Sequence, residues 1–199
     1  MSRVARGLWN VVLSGYPNSG KTVLARRLTA EYQGFARVNV DELRQMFFNE
    51  APPCRDEYII YSLIAAMRDA LLERGYSVVI DSTAPDNVTR EFLMTTPAER
   101  INGLLIVFNV EREILIKRSV ERCGDANLVS AWDKRWEEPR RECCLFKFRS
   151  NNMEEFESSY TLLTELLESE THPFKYEFRP SPPPLRQIQR AFKNFLKAR

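Results

Sequence analysis

The run Gly15-Tyr16-Pro17-Asn18-Ser19-Gly20-Lys21-Thr22 constrains this chain more than any other stretch. It has the spacing G-x-x-x-x-G-K-[ST], in which glycines let the backbone curl until successive N–H groups face inward on an anion. A helix starting where the loop ends adds its positive N-terminal end. In such a loop the lysine reaches the β- and γ-phosphates of a nucleoside triphosphate, and the hydroxyl of Thr22 is a ligand for Mg²⁺. A chance match in a chain of this length arises on the order of once in a hundred, so an ordinary turn is the weaker reading. The flanks agree: residues 8–13 read as a buried strand, and a helical pattern runs from about 21 to 32.

Further apolar runs alternate with helix-length segments. Strands are expected at 35–40, 76–80 and 104–110, with a fifth, edge-like one at 174–178. Ile60, Leu63, Ile64, Met67 and Leu71 recur at helical spacing, and Gly75 stands at that helix's C-terminal cap. This alternation predicts βαβ units, a mostly parallel sheet and helices on both faces, in a single domain spanning 1–199. After the proline cluster at 180–184, Leu185, Ile188, Phe192 and Phe195 line one face of a final helix over about 185–197, expected to dock on the sheet.

Composition narrows the setting. An apolar content of 44% supports a packed core, and a net charge of +2 makes no demand for nucleic acid. Four cysteines (Cys54, Cys123, Cys143, Cys144) without C-x-x-C spacing, and a single histidine, His172, argue against a zinc site. Unpatterned cysteines suit a reducing compartment, and the first apolar run is too short for a signal or a membrane span. A cytoplasmic protein without membrane contact is expected.

Asp41 and Asp81 follow the second and third expected strands, so both project toward the edge that carries the phosphate loop. Asp41, ahead of Glu42-Leu43-Arg44, has the place of a helix cap as well. Phosphoryl transfer needs one carboxylate to orient or deprotonate an acceptor hydroxyl and another to hold magnesium or its waters. Arg44 is placed to pair with Asp41 or with a substrate phosphate.

Residues 111–123 read as a helix broken at Gly124. Arg118 and Arg122, four apart, share one face, suited to charge on a transferring phosphoryl group. A helical lid over about 111–138 would fold across the nucleotide. Leu128, Trp132 and Trp136 form a stripe read as packing rather than base stacking.

The motifs at 15–22, Val40-Asp41-Glu42-Leu43-Arg44, Val79-Ile80-Asp81-Ser82-Thr83 and Leu115-Ile116-Lys117-Arg118-Ser119-Val120-Glu121-Arg122, in this order and spacing, resemble the kinase domain of phage-type polynucleotide kinases. Their relatives include the zeta-type toxin kinases and the seryl-tRNA kinase group. The resemblance implies a three-layer, nucleoside-kinase-like P-loop fold with a five-stranded parallel sheet, and ATP and Mg²⁺ as cofactors. It further implies Asp41 as the base facing the acceptor, Arg44 near that acceptor, and Arg122 with Arg118 as lid arginines. Asp81 is then the carboxylate left for the metal beside Thr22. No basic residue directly precedes Asp41, a departure from the family's motif.

The expected function is transfer of the γ-phosphoryl group of ATP to a hydroxyl of a polynucleotide or a small molecule. The alternative is a regulatory ATPase or binding module acting through an RNA or protein partner. The lack of Asn-Lys-x-Asp and Asp-x-x-Gly motifs speaks against a GTPase switch.

Overall fold

In the computed structural model, the described residues are 3–52, 54–96, 100–140 and 145–169. Five strands, β1 (Leu8–Ser14), β2 (Phe35–Asn39), β3 (Ser77–Asp81), β4 (Ile101–Asn109) and β5 (Leu145–Arg149), form one sheet in the order β2-β3-β1-β4-β5. Every pairing is parallel, with Val11 opposite Val79 on one side and Leu104 on the other. The helices are α1 (Lys21–Glu31), α2 (Val40–Phe48), α3 (Glu57–Glu73), α4 (Asn87–Met94), α5 (Arg112–Cys123), α6 (Leu128–Asp133) and α7 (Met153–Glu168).

Strand side chains alternate between faces, and β1 shows the consequence. Trp9, Val11 and Leu13 pack with Leu24 and Leu28 of α1 and Leu163 and Leu167 of α7. Val12 packs on the opposite face with Ile60 and Ile64 of α3 and Leu93 of α4. Asn10, a fully buried polar residue in this central strand, donates its amide to the carbonyls of Leu93 and Met94 at the end of α4. It therefore serves two of the carbonyls that a helix end leaves without internal partners.

From β1 the chain passes to β2 at one edge, returns through β3, and crosses to β4 and β5 on the other side. Ligands of open parallel sheets bind outside the carboxyl ends of the strands at such a reversal. Ser14 and the phosphate loop stand there.

The fifth strand of the described sheet falls where the sequence reading expects none. It lies at Leu145–Arg149, where only scattered basic residues are evident in sequence; the expected strand at 174–178 and the helix at 185–197 lie outside the described residues. Phe148 is fully buried against Phe108 and Phe156, whereas Lys147 and Arg149 are exposed on this strand, the outermost among the described residues.

Candidate active site

The phosphate loop joins β1 to α1 as its sequence predicts. Gly20 precedes α1 with φ +98°, a left-handed conformation that favours glycine, and no side chain caps the helix. The first N–H groups of α1 are thus open to an anion. A Cβ on Gly15 would come within 2.8 Å of the Phe108 Cβ, so only glycine lets the loop lie this close to β4. The Lys21 ammonium is buried and donates to the carbonyls of Gly15 (2.9 Å) and Tyr16 (2.6 Å). Burial pulls its pKa down to about 8, with Asp81 and Asp41 opposing the shift.

Asp41 is not the cap of α2. That role falls to Asn39, whose side-chain oxygen accepts the Glu42 N–H at 2.7 Å. Asp41 stays largely exposed in the first turn, paired on one side with Nη1 of Arg44. Arg44 is enclosed: Nε and Nη2 donate to the Glu57 carboxylate at 2.9 and 2.7 Å, and Glu57 also accepts the Cys54 N–H. Arg44 meets Asp41, one of its sequence-expected partners, and Glu57, which the sequence did not suggest.

Asp81 ends β3 opposite Asn39 of β2 and is buried. Its Oδ2 accepts from Asn39 Nδ2 at 2.8 Å and from Nε and Nη2 of Arg37 at 3.0 and 2.8 Å. One carboxylate oxygen is therefore committed to the protein. Arg37 and Glu57 escaped the sequence reading, because their partners lie across strands or on another helix.

The two arginines of α5 that share a face differ. Arg118 donates to the carbonyls of Ser150 (2.6 Å) and Asn151 (3.1 Å), and Ser150 Oγ donates to the Ser19 carbonyl, so the loop after β5 is clamped onto the phosphate loop. Arg122 is exposed and makes no ion pair with the described residues. The end of α6 is tied to the phosphate loop by Tyr16, whose hydroxyl donates to Asp133 (2.9 Å), itself paired with Arg112 (2.8 Å). Trp136 packs between the Tyr16 ring and the Arg90 guanidinium. Arg90, buried, donates to Ser14 Oγ and to the carbonyls of Pro85 and Glu137, and burial lowers its pKa to about 10.

Two cavities flank the loop. One, of ≈ 470 Å³, is lined by Lys21, Thr22, Asp41, Asp81, Arg122 and Trp132 among others. The other, of ≈ 300 Å³, is lined by Val23, Arg118, Met153 and Phe156, and shares Asn18 and Arg122 with the first. Among the described residues no three His, Cys, Asp or Glu side chains gather as a metal cluster. The hydroxyl of Thr22 and the carboxylate of Asp81 are hard oxygen donors suited to a magnesium ion that arrives with phosphates and keeps several waters. No described helix is long and apolar enough to cross a membrane.

A parallel sheet with this order, a complete phosphate loop at its reversal point and helices packed on the sheet define an α/β protein of the P-loop kinase-like class. Residues 11–141 match the family model of the AAA domain, and the chain belongs to that family. Similar solved structures include a gluconokinase from Sinorhizobium meliloti 1021, with 19% identity over 80% of this chain and 95% of that one, and a TM-score of 0.57. The APS kinase CysC of Mycobacterium tuberculosis gives 16% identity, 82% and 100% coverage, and a TM-score of 0.59. A chain of a Pnkp1/Rnl/Hen1 complex gives 27% identity over 62% of this chain but 41% of that longer one, with a TM-score of 0.51. No curated protein matches the sequence.

Proposed function

We propose that this protein is an ATP-dependent kinase that transfers the γ-phosphoryl group to an alcohol. One observation carries the reading: Lys21, the phosphate-end cation, and Asp41, a carboxylate tethered on one side only, line the same cleft, together with Arg122, which has no ion pair among the described residues. A hydrolase has no use for a fixed carboxylate facing an acceptor. The structural neighbours include the gluconokinase and the APS kinase, which supports the reaction class.

The adenine is assigned to the smaller cavity, between Val23 and Met153, with the phosphates crossing the loop at Asn18. Thr22 and Asp81 would hold Mg²⁺, which when bound supplies positive charge to the β- and γ-phosphate oxygens. Asp41 accepts the acceptor's hydroxyl proton as the new O–P bond forms. The bond between the γ-phosphorus and the bridging oxygen breaks, and ADP leaves with that electron pair. Arg122 is aimed at the charge that spreads over the transferring group, and Arg44 orients Asp41 rather than the substrate.

The test is γ-phosphoryl transfer from labelled ATP with Mg²⁺ to a panel of alcohols: a 5′-hydroxyl oligonucleotide, nucleosides and sugar acids. The kinase reading expects a labelled ester with at least one acceptor, lost in Asp41→Asn. ATP turnover that responds to no alcohol and is indifferent to Asp41→Asn overturns it in favour of a regulatory ATPase.

A further inference from the structure

Arg90 is a buried guanidinium one hydrogen bond from Ser14, the residue before the phosphate loop, and the transfer chemistry leaves it without a task. Its planar fork is met by neutral oxygens. Nε donates to Ser14 Oγ at 3.0 Å and Nη2 to the Pro85 carbonyl at 2.9 Å, while Nη1 donates to Asn87 Oδ1 at 3.1 Å and the Glu137 carbonyl at 2.7 Å. The acids whose charge it feels, Asp86, Glu137 and Glu138, are engaged elsewhere. Asp86 accepts the Thr89 N–H as the cap of α4, Glu137 accepts the Asn87 N–H, and Glu138 accepts the Trp136 indole N–H. Burying a guanidinium with no carboxylate bonded to it is unfavourable, so ion-pair stability does not account for this residue. What the fork supplies is direction, as rigid donors that reach several chain segments at once.

Those segments meet at the turn into which Asp81 leads. The Gly15 N–H donates to the Thr83 carbonyl at 3.0 Å, and Ser14 Oγ donates to the Ala84 carbonyl at 2.9 Å. The start of the phosphate loop is thus laid along residues 83 and 84. Ala84 is fully buried at φ +36°, a left-handed conformation that persists in a residue with a side chain only where its surroundings impose it. The imposing contacts stand on both sides of it. Ser82 Oγ accepts the Ala84 N–H at 3.1 Å, and Arg90 holds Ser14 and Pro85 on one fork. The Glu137 N–H donates to the same Pro85 carbonyl at 2.9 Å, and the Trp136 ring covers the guanidinium, 4.7 Å from its centroid.

We propose that Arg90 is a positioning residue: it locks the turn after Asp81 against the phosphate loop and so sets where the Asp81 carboxylate stands relative to the Thr22 hydroxyl. Its influence reaches the nucleotide through the metal that those two groups would hold, and not through the N–H cradle. This rests on the assignment of Mg²⁺ to Thr22 and Asp81 in the kinase reading.

The test measures ATP affinity of the full chain by calorimetry, in EDTA and in excess Mg²⁺, for wild type, Arg90→Lys, Asp81→Asn and the double variant. Lysine keeps the charge and loses the fork. Arg90→Lys should leave metal-free affinity within about twofold, since the cradle and Lys21 are untouched, and weaken magnesium-dependent binding by about tenfold. In the Asp81→Asn background the same change should add almost nothing. Ser14→Ala removes one acceptor of the fork without altering a charge; it should give the same pattern in milder form, and it decides the matter where Arg90→Lys does not fold. Equal losses with and without metal overturn the proposal, because Arg90 then shapes the cradle or only the fold. So does an unchanged magnesium effect, whatever the melting temperature, or a magnesium loss that persists in full beside Asp81→Asn. The expected magnesium pattern without phosphoryl transfer to any alcohol leaves the role of Arg90 standing and removes the kinase.

Discussion

Glu57 grips Arg44 along its Nε–Nη2 edge, at 2.9 and 2.7 Å, and leaves Nη1 to reach Asp41. The carboxylate proposed as the base is thus held by a guanidinium that is itself held from the core. Glu57→Gln should cost about 3 kcal/mol of stability, because a buried charge pair loses one partner. It should also cut transfer by roughly tenfold at an unchanged KM for ATP. In an Asp41→Asn background the same change should cost transfer almost nothing more, since coupled residues are non-additive. Multiplicative losses would mean that Glu57 only supports the fold.

Lys21 makes ATP binding pH-dependent. In the free protein its pKa stands near 8, chiefly through burial, while bound phosphates would raise it. Above about pH 8, binding must then take up a proton, so the ATP dissociation constant should rise by about tenfold per pH unit. Lys21→Met should bind ATP far more weakly and lose that slope. The sign for folding is opposite: between about pH 8 and 10.5 the unfolded chain binds more protons at Lys21. The nucleotide-free protein should therefore gain stability over this window relative to Lys21→Met, as read by urea unfolding. A flat binding profile would show that the ammonium is not the group meeting the phosphates.

Arg118 and Arg122 should separate cleanly. Arg118→Ala frees the loop after β5 from the phosphate loop and should weaken ATP binding by about tenfold, the worth of a charged hydrogen bond. Arg122→Ala should leave ATP affinity nearly unchanged and slow transfer by a hundredfold or more, because its charge is needed as the transition state forms. Calorimetric ATP binding beside single-turnover rates distinguishes them. Equal losses in both quantities would make Arg122 a ground-state contact.

Asp81 carries two obligations. Asp81→Asn should raise the magnesium concentration for half-maximal transfer, as a negative charge leaves the metal's surroundings. It should also lower stability, because Arg37 keeps only the exposed Glu42 as an acidic partner. Arg37→Gln should move the magnesium requirement the other way, since the cation that competes for Asp81 is gone. If both variants need the same magnesium as wild type, Asp81 serves the sheet and not the metal.

The phosphate loop, the strand before it, the helix after it and the aspartates at two strand ends were legible from the chain alone. Each is a local matter: a glycine spacing, an apolar run, a residue next in sequence to a strand. The strand at 145–149 was not legible, because its five residues alternate weakly and its basic side chains look like surface. It becomes a strand by pairing in parallel with β4 and burying Phe148 against Phe108 and Phe156.

What each charged group does was decided elsewhere. Arg44 meets Glu57 thirteen residues on, and Arg37 meets Asp81 forty-four residues on, across the pairing of β2 with β3. Arg118 and Arg122 share a helical face, yet the carbonyl of Ser150, thirty-two residues beyond Arg118, comes within reach of Arg118, whereas Arg122 projects into the cleft. Local pattern sets strand ends and loops, and so places Lys21, Thr22, Asp41 and Asp81 near the phosphate site from the chain alone. Only the tertiary structure decided which of them are bound to the protein and which remain for a substrate, because a hydrogen bond forms over about 3 Å and nothing in sequence spacing supplies that distance.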